Sequence, residues 1–117
     1  MLTTSLPYAV SDELNSVLKE LQLNPGDRRS VEDFADQLHM TSRTLERRCQ
    51  RELGISFGEW RSRLKFMHAI ESLETGLTVQ RIALELGYTT PSAFIVMFKR
   101  FTGTTPEQYR LNGLKQR

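Results

Sequence analysis

The sequence predicts an all-α protein of about seven helices, arranged as two small units joined by one long helix. Helical periodicity dominates the 117 residues, and no segment shows the convincing alternation of a β-strand. An internal repeat points to two similar units, and a capped stretch of roughly 20 residues lies between the two copies. We therefore expect an N-terminal helix and the first unit at residues 1–55, the connecting helix at 56–75 and the second unit at 76–117.

The first three helices are marked by apolar spacing and by turn residues. Ser30 and Asp33 predict a capping box at the start of the second helix, and the third helix should cover residues 42–53 and end near Gly54. The first helix should end at the turn formed by residues 24–27, which contains Pro-Gly. Its inward residues are predicted to be Val10, Leu14, Val17, Leu18 and Leu21. Those of the second are Val31, Phe34, Ala35 and Leu38.

The long fourth helix begins with a second predicted capping box, formed by Ser56 and Glu59. It should run to about Thr75, where Gly76 follows. At 1.5 Å per residue, roughly 20 residues span about 30 Å. We expect its large apolar residues to lie in the core: Trp60, Phe66, Met67 and Ile70.

The last three helices each begin after a threonine that can cap them. Thr78 starts a short fifth helix, and Thr90 caps a helix over residues 91–102. Pro91 occupies the first position of that helix, where its missing N–H costs nothing. Thr105, followed by proline, repeats the same start signal for a short final helix.

The internal repeat pairs the segment from Val31 with the segment from Val79 at an offset of 48 residues, which becomes 49 after one inserted residue. Each copy is a short helix, a tight turn, a second helix, a loop, a cap and an aromatic residue, which is typical of a duplicated helix-turn-helix. The paired positions are Val31/Val79, Phe34/Ile82, Ala35/Ala83, Leu38/Leu86, Leu45/Phe94, Cys49/Phe98, Gly54/Gly103, Ser56/Thr105 and Trp60/Tyr109. Because Cys49 pairs with Phe98, we expect it to be a small buried hydrophobe.

The net charge of +2 conceals an uneven distribution along the chain. Residues 1–40 carry a net charge of −4, residues 41–65 carry +4 and residues 66–117 carry +2. A concentrated basic segment favours a polyanionic partner in a way that the average charge does not.

Composition and motifs exclude several classes of protein. The single cysteine rules out an intramolecular disulfide and Cys-rich zinc sites. No apolar run approaches the roughly 20 residues that cross a bilayer, and the start of the chain lacks the features of a secretory signal. We expect a reducing, cytoplasmic location, no metal site because His39 and His68 lack ligand partners at metal spacing, no cofactor, and no enzymatic activity.

Arg43, Arg47 and Arg51 recur at i, i+4 and i+8 on the third helix, with Arg48 beside them. One interpretation is a solvated face with Arg43/Glu46 and Arg48/Glu52 as surface ion pairs, each worth only about 0.3–0.5 kcal/mol. In a duplicated helix-turn-helix, we instead expect the stripe to enter the major groove of DNA, where arginine can bond guanine bidentately.

Contacts to bases are expected near the N-terminal end of the second helix in each helix-turn-helix. In the first unit these residues are Arg43, Thr44, Glu46 and Arg47. In the second unit they are Ser92, Ala93, Ile95 and Val96, whose apolar members can touch thymine methyl groups. Glu46 either accepts from a cytosine amine or orients Arg43, and both interpretations stay open. Arg51 should touch phosphate or pair with a neighbouring acid, and Lys99 should touch phosphate.

From Arg29 to about Arg110 the sequence resembles the DNA-binding domain of the AraC/XylS family of bacterial transcription regulators. The signatures are SRTLERRCQRELGISFGEW and IALELGYTTPSAFIVMFKRFTGTTPEQYR. The resemblance implies two helix-turn-helix subdomains, a long joining helix, double-stranded DNA as partner, and base contacts at the positions named above. The sequence departs from the family pattern at His39, which stands where the second copy has Gly87 and many relatives have glycine. Histidine tolerates a left-handed backbone less well than glycine.

The sequence leaves two further questions open. The first is whether the chain is instead a helical adaptor that binds an acidic partner through the same basic face. Such an adaptor would show neither a sequence preference for DNA nor a multi-ion salt dependence. The family resemblance and the linker-like start MLTTSLPY favour an excised C-terminal domain, lacking an N-terminal sensing or dimerisation domain, over a small stand-alone regulator. Part of the long helix is also a candidate interface for RNA polymerase or for that missing domain.

Overall fold

The computed structural model describes residues 6–115, and within that range the chain forms seven helices and no strand. The helices are α1 (Asp12–Leu23), α2 (Val31–Gln37), α3 (Ser42–Leu53), α4 (Phe57–Glu74), α5 (Val79–Glu85), α6 (Pro91–Thr102) and α7 (Pro106–Lys115). The predicted fold class is confirmed, and the two helices expected at 42–53 and 91–102 have those bounds.

The helix-turn-helix repeat of the sequence is also a repeat of the structure. In the turn between α2 and α3 the Met40 N–H donates to the Ala35 carbonyl, and in the turn between α5 and α6 the Tyr88 N–H donates to the Ala83 carbonyl, both at 3.0 Å. The paired core positions are buried in both copies: Phe34/Ile82, Ala35/Ala83, Leu45/Phe94 and Cys49/Phe98. The helix α3 ends at Gly54 as predicted, and both Gly54 and its counterpart Gly103 have a left-handed backbone.

The helix α4 contributes to two separate apolar cores. Its first half packs with α1, α2 and α3 through Phe57, Trp60 and Leu64. Its second half packs with α5 and α6 through Phe66, Ala69 and Leu73. The 18 residues of α4 span about 27 Å. The two units therefore lie side by side along one rod, in a molecule that measures 48 × 28 × 21 Å.

The first of the two predicted capping boxes is complete, and the second is half formed. The Ser30 hydroxyl accepts from the Asp33 N–H at 3.2 Å, and the Asp33 carboxylate accepts from the Ser30 N–H at 2.9 Å. Ser56 accepts from the Glu59 N–H at 3.0 Å, but the return bond predicted from the Glu59 side chain is absent. Two cations pair with that carboxylate instead: Arg63 at 3.2 Å and Arg100 at 3.1 Å.

Two residues predicted to point inward are exposed. Val10 is 86% exposed because it precedes the first helix rather than forming part of it. Met67 is 37% exposed because it follows the buried Phe66 by one residue, about 100° around the helix. Trp60 is buried as predicted, and Ile70 packs at the edge of the second core.

Residues 6–8 of the linker-like start MLTTSLPY lie in the described part of the chain. Residues 1–5 lie outside the described part of the chain. The Pro7 carbonyl accepts from the Trp60 indole N–H at 2.9 Å, and Leu6 packs against the first core. From residue 6 onward the chain is therefore docked on the first unit.

His39 is the one non-glycine residue with a positive φ, 57°, in the described range, and its counterpart in the second copy is Gly87 at 85°. A left-handed residue with a Cβ costs about 1–2 kcal/mol, against about 0.5–1 kcal/mol for the greater entropy of an unfolded glycine. His39→Gly should therefore raise the free energy of unfolding in urea by about 0.5–1 kcal/mol. As a control, Gly54→Ala at φ 76°, where an added Cβ meets nothing within 4 Å, should lower it by about 1 kcal/mol. An unchanged or lowered value for His39→Gly contradicts the assignment of strain.

Candidate nucleic-acid interface

One row of α3 is buried in the first core and fixes where the rest of the helix points. That row consists of Leu45, Cys49 and Leu53. The start of the helix is held by Thr41, whose hydroxyl accepts from the Thr44 N–H at 3.1 Å and donates to the Thr44 hydroxyl at 3.0 Å. The opposite face of α3 is solvent-exposed and carries Arg43, Thr44 and Arg47.

The four arginines of α3 fall into different environments. Arg48 lies 3.3 Å from Glu52 and 3.6 Å from Glu13, and Glu52 also accepts from the Ser11 N–H at 2.7 Å. Burial alone would raise the pKa of Glu52, but these donors hold it below its ordinary value. Arg48 therefore ties α3 to the start of α1. Of the two ion pairs that the solvated-face interpretation predicts, Arg48/Glu52 is formed and, among the described residues, Arg43/Glu46 is not.

Arg43 and Arg47 have no such partners. Both side chains are exposed, and within residues 6–115 neither forms a hydrogen bond or ion pair. Arg51, one turn further on, is 70% exposed and reaches a Glu52 oxygen only at 4.0 Å. These guanidinium groups keep their hydrogen-bond donors available for an anionic partner.

Glu46 has a role that sequence reasoning did not foresee. It is half-buried, and its Oε1 accepts from the N–H of Phe57, the first residue of α4, at 2.9 Å. The sequence indicates a cytosine amine or Arg43 as the partner of this carboxylate, whereas the structure adds a backbone N–H. The bond joins α3 to the start of α4 and leaves the second carboxylate oxygen for a further donor.

The helix α6 presents a different face. It buries Phe94, Met97 and Phe98 in the second core and exposes the following predicted site residues: Ser92, Ala93, Val96 and Lys99. Val96 is 70% exposed. Ile95 is half-buried and packs against the second core, so only part of its side chain is accessible. The exposed face of α6 therefore consists mostly of small and apolar groups with one free ammonium group.

One residue on the exposed face of α3 was missed. Gln50 is exposed and has no side-chain partner in the described part of the chain. It follows Arg47 by three residues and Arg43 by seven, so it shares their face of the helix. Its spacing from the two arginines is the feature of the sequence that indicates this position.

Cys49 is buried in the first core. Burial raises the pKa of the Cys49 thiol to about 12, so this thiol stays protonated and unreactive at neutral pH. Among the described residues, no cluster of three or more His, Cys, Asp or Glu is placed to hold a metal ion. None of the described helices is long and apolar enough to span a bilayer.

The chain is similar to known helix-turn-helix proteins over most of its length. The sequence profile of the helix-turn-helix domain matches residues 34–112. The HTH-type transcriptional regulator NimR of Escherichia coli is 34% identical over 104 residues, which are 89% of this chain and 38% of NimR. The chain thus spans less than half the length of that relative.

Two solved structures share the fold. The C-terminal domain of AraT, a response regulator from Geobacillus stearothermophilus, has a TM-score of 0.82 and 30% identity, covering 88% of this chain and 87% of that one. The DNA-binding domain of AdpA, a global transcriptional factor crystallised in complex with a target DNA, has a TM-score of 0.85 and 28% identity, covering 92% and 97%. These relatives give no support to an adaptor that binds an acidic protein.

The bond from the Phe57 N–H to Glu46 generates a test of stability. Glu46→Ala removes a carboxylate from the start of α4 and should lower the free energy of unfolding by about 1 kcal/mol. Urea denaturation followed by circular dichroism measures the change. The control Gln50→Ala, at an exposed position on the same helix, should stay within about 0.5 kcal/mol of the unchanged protein. Equal changes in the free energy of unfolding for Glu46→Ala and Gln50→Ala would show that Glu46 has no structural role.

Proposed function

The chain belongs to the AraC-type helix-turn-helix family of DNA-binding transcription regulators, and we propose that it binds one asymmetric site by inserting α3 and α6 into consecutive major grooves. The observation that carries this proposal is that α4 is buried in both cores, so two copies of one helix-turn-helix are held on one rod. The α4 rod is about 27 Å long, and successive major grooves on one face of DNA lie about 34 Å apart.

The first unit is proposed to carry most of the base recognition. Arg43 and Arg47 have unpaired guanidinium groups that suit the O6 and N7 acceptors of guanine. Gln50 on the same face suits adenine. Thr44 adds a hydroxyl, and the free oxygen of Glu46 suits a cytosine amine, although its bond to α4 also makes it a positioning group. Arg51, at the far end of the face, is proposed to contact phosphate.

The second unit is proposed to add apolar and phosphate contacts. Ala93, Val96 and the exposed part of Ile95 can touch thymine methyl groups but cannot bond base edges. Ser92 supplies one hydroxyl near the start of the helix, and Lys99 supplies a charge for phosphate. The similar AdpA domain was crystallised in complex with a target DNA, which supports DNA as the partner. Because the two faces differ, the site itself should be asymmetric.

The proposal extends beyond this chain in two respects. NimR is much longer than the segment that matches, so we propose that a further N-terminal sensing or dimerisation domain accompanies this one. RNA polymerase remains a proposed partner, and the exposed Met67 on α4 is a candidate contact.

Selection of bound duplexes from a random pool tests the function directly. The expected result is two unlike half-sites about one helical turn, roughly 10–10.5 base pairs, apart, with guanine in the first and A·T pairs in the second. The selected duplex should bind at least about 1,000-fold more tightly than a scrambled one, with a multi-ion salt dependence. Enrichment of a single half-site, or of none, would overturn the proposal.

Arg47→Ala should weaken binding to the selected duplex by about 1–3 kcal/mol and relax the preference at one base pair, because a bidentate contact to guanine is lost. Affinities for the duplex and its single-base variants, measured by fluorescence anisotropy, test this. Arg48→Met is a matched control on the same helix, since that guanidinium is already paired with Glu13 and Glu52. Unchanged discrimination by Arg47→Ala rejects the base contact.

Lys99→Ala should weaken binding evenly across the same set of duplexes. It should also reduce the slope of log affinity against log salt by about 1, because one phosphate contact is lost. Titrations at several salt concentrations measure both quantities. A loss confined to particular base pairs would show that Lys99 reads sequence rather than phosphate.

A further inference from the structure

The two units contact each other at a second place, away from α4. Gly26, in the loop between α1 and α2, lies with its backbone against the turn between α5 and α6. A Cβ built on Gly26 would overlap the carbonyl oxygen of Glu85 and lie 3.3 Å from the nitrogen of Gly87. A Cβ on Gly87 would lie 2.5 Å from the carbonyl oxygen of Gly26. Only the absence of a side chain on both residues allows this approach.

The loop that carries Gly26 is itself held on α4. Arg61 of α4 donates through Nη1 to the Arg29 carbonyl and through Nη2 to the Asp27 carbonyl, both at 2.6 Å. The side chains of Asp27 and Arg29 pair at 2.7 Å, which stiffens the same loop. The guanidinium of Arg61 is half-buried, and its carbon lies 5.5 Å from the centre of the Phe34 ring.

We propose that residues 24–29, which we term the strut loop, fix the rotation of α6 relative to α3, and that Gly26, Gly87 and Arg61 are positioning residues for DNA binding. A long helix curves gently along its length, so α4 fixes the separation of the two units more tightly than their relative rotation. The strut loop provides a second connection between the units, because it is bonded to Arg61 of α4 and contacts the turn that leads into α6. The inference rests on the proposed function for its effect on DNA, but not for its effect on the free protein.

Two contacts of α6 and its preceding turn with α4 complement the strut loop. Arg100 pairs with Glu59 at 3.1 Å, and the ammonium of Lys65 lies 4.6 Å from the centre of the Tyr88 ring. Tyr88 directly follows Gly87, so the turn is held from α4 on one side and by the strut loop on the other. A shift of this turn would move the start of α6, which bears the proposed base contacts.

Gly26→Ala tests the contact without a backbone penalty, because Gly26 does not have a positive φ. In the free protein, residual dipolar couplings of backbone amides report the orientation of each unit. One alignment tensor should describe both units of the unchanged protein. In Gly26→Ala the added methyl group must push the strut loop and the turn apart, so the two units should require different tensors.

The same variant should alter how binding depends on the spacing of the half-sites. Inserting or deleting one base pair rotates one groove by about 35° and shifts it by about 3.4 Å. The unchanged protein should therefore lose about tenfold or more in affinity. Gly26→Ala should lose less than about threefold, or should prefer a spacing altered by one base pair. The probe is the duplex selected from the random pool, with its spacing variants.

Controls separate orientation from general stability. Gly113→Ala, where an added Cβ in α7 meets nothing within 4 Å, should change neither measurement. Ile82→Val weakens the second core without touching the strut loop and should leave both the shared tensor and the spacing dependence intact. If Gly26→Ala does not fold, Arg61→Met keeps the apolar stem, removes both donations to the loop and should give the same two changes.

A single tensor together with an unchanged spacing dependence, in Gly26→Ala and in Arg61→Met, overturns the proposal and leaves α4 alone to set the orientation. Separate tensors with an unchanged spacing dependence overturn it as well, because the loop then has no effect on DNA binding. If the unchanged protein prefers no duplex and no spacing, the proposed two-groove function fails. The tensors then decide independently whether the strut loop orients the units.

Discussion

The burial of one helix in two cores is the constraint on which the rest of the molecule depends. Leu64 belongs to the first core and Phe66 to the second, so the boundary between the units falls within a continuous stretch of α4. Bending α4 there would strain its own backbone hydrogen bonds, and rotating either half would expose apolar residues. The separation of α3 and α6 is therefore set by the same burial that stabilises each unit.

Neighbouring charged residues of α3 have different roles because they contact different partners. Arg48 faces two carboxylates and stabilises the packing of α3 on α1, whereas Arg47, the next residue, faces solvent and keeps its donors. The two copies share their buried positions, as Cys49 and Phe98 illustrate, but differ on their exposed faces. A common core constrains the fold, while the surface of each copy can diverge toward different contacts.

The sequence predicted what depends on local pattern. Caps such as Ser30 and the end of α3 at Gly54 are encoded within a few residues, and the helix bounds follow from them. The repeat is also visible in the sequence, because the same short pattern recurs 48 to 49 residues later. The strain at His39 also followed, because alignment with Gly87 identified the turn. Long-range contacts had no such signal. The bonds of Glu46 to α4 and of Arg61 to the strut loop join residues 11 to 34 positions apart, and Gly26 meets Gly87 only after both units have folded.

A hydroxyl-radical footprint on the selected duplex tests most directly whether two helix-turn-helix units grip one DNA molecule from a single face. Two protected windows are expected, centred about one helical turn apart on the same face of the duplex and both lost together at raised salt. One protected window, or two windows on opposite faces, would contradict it.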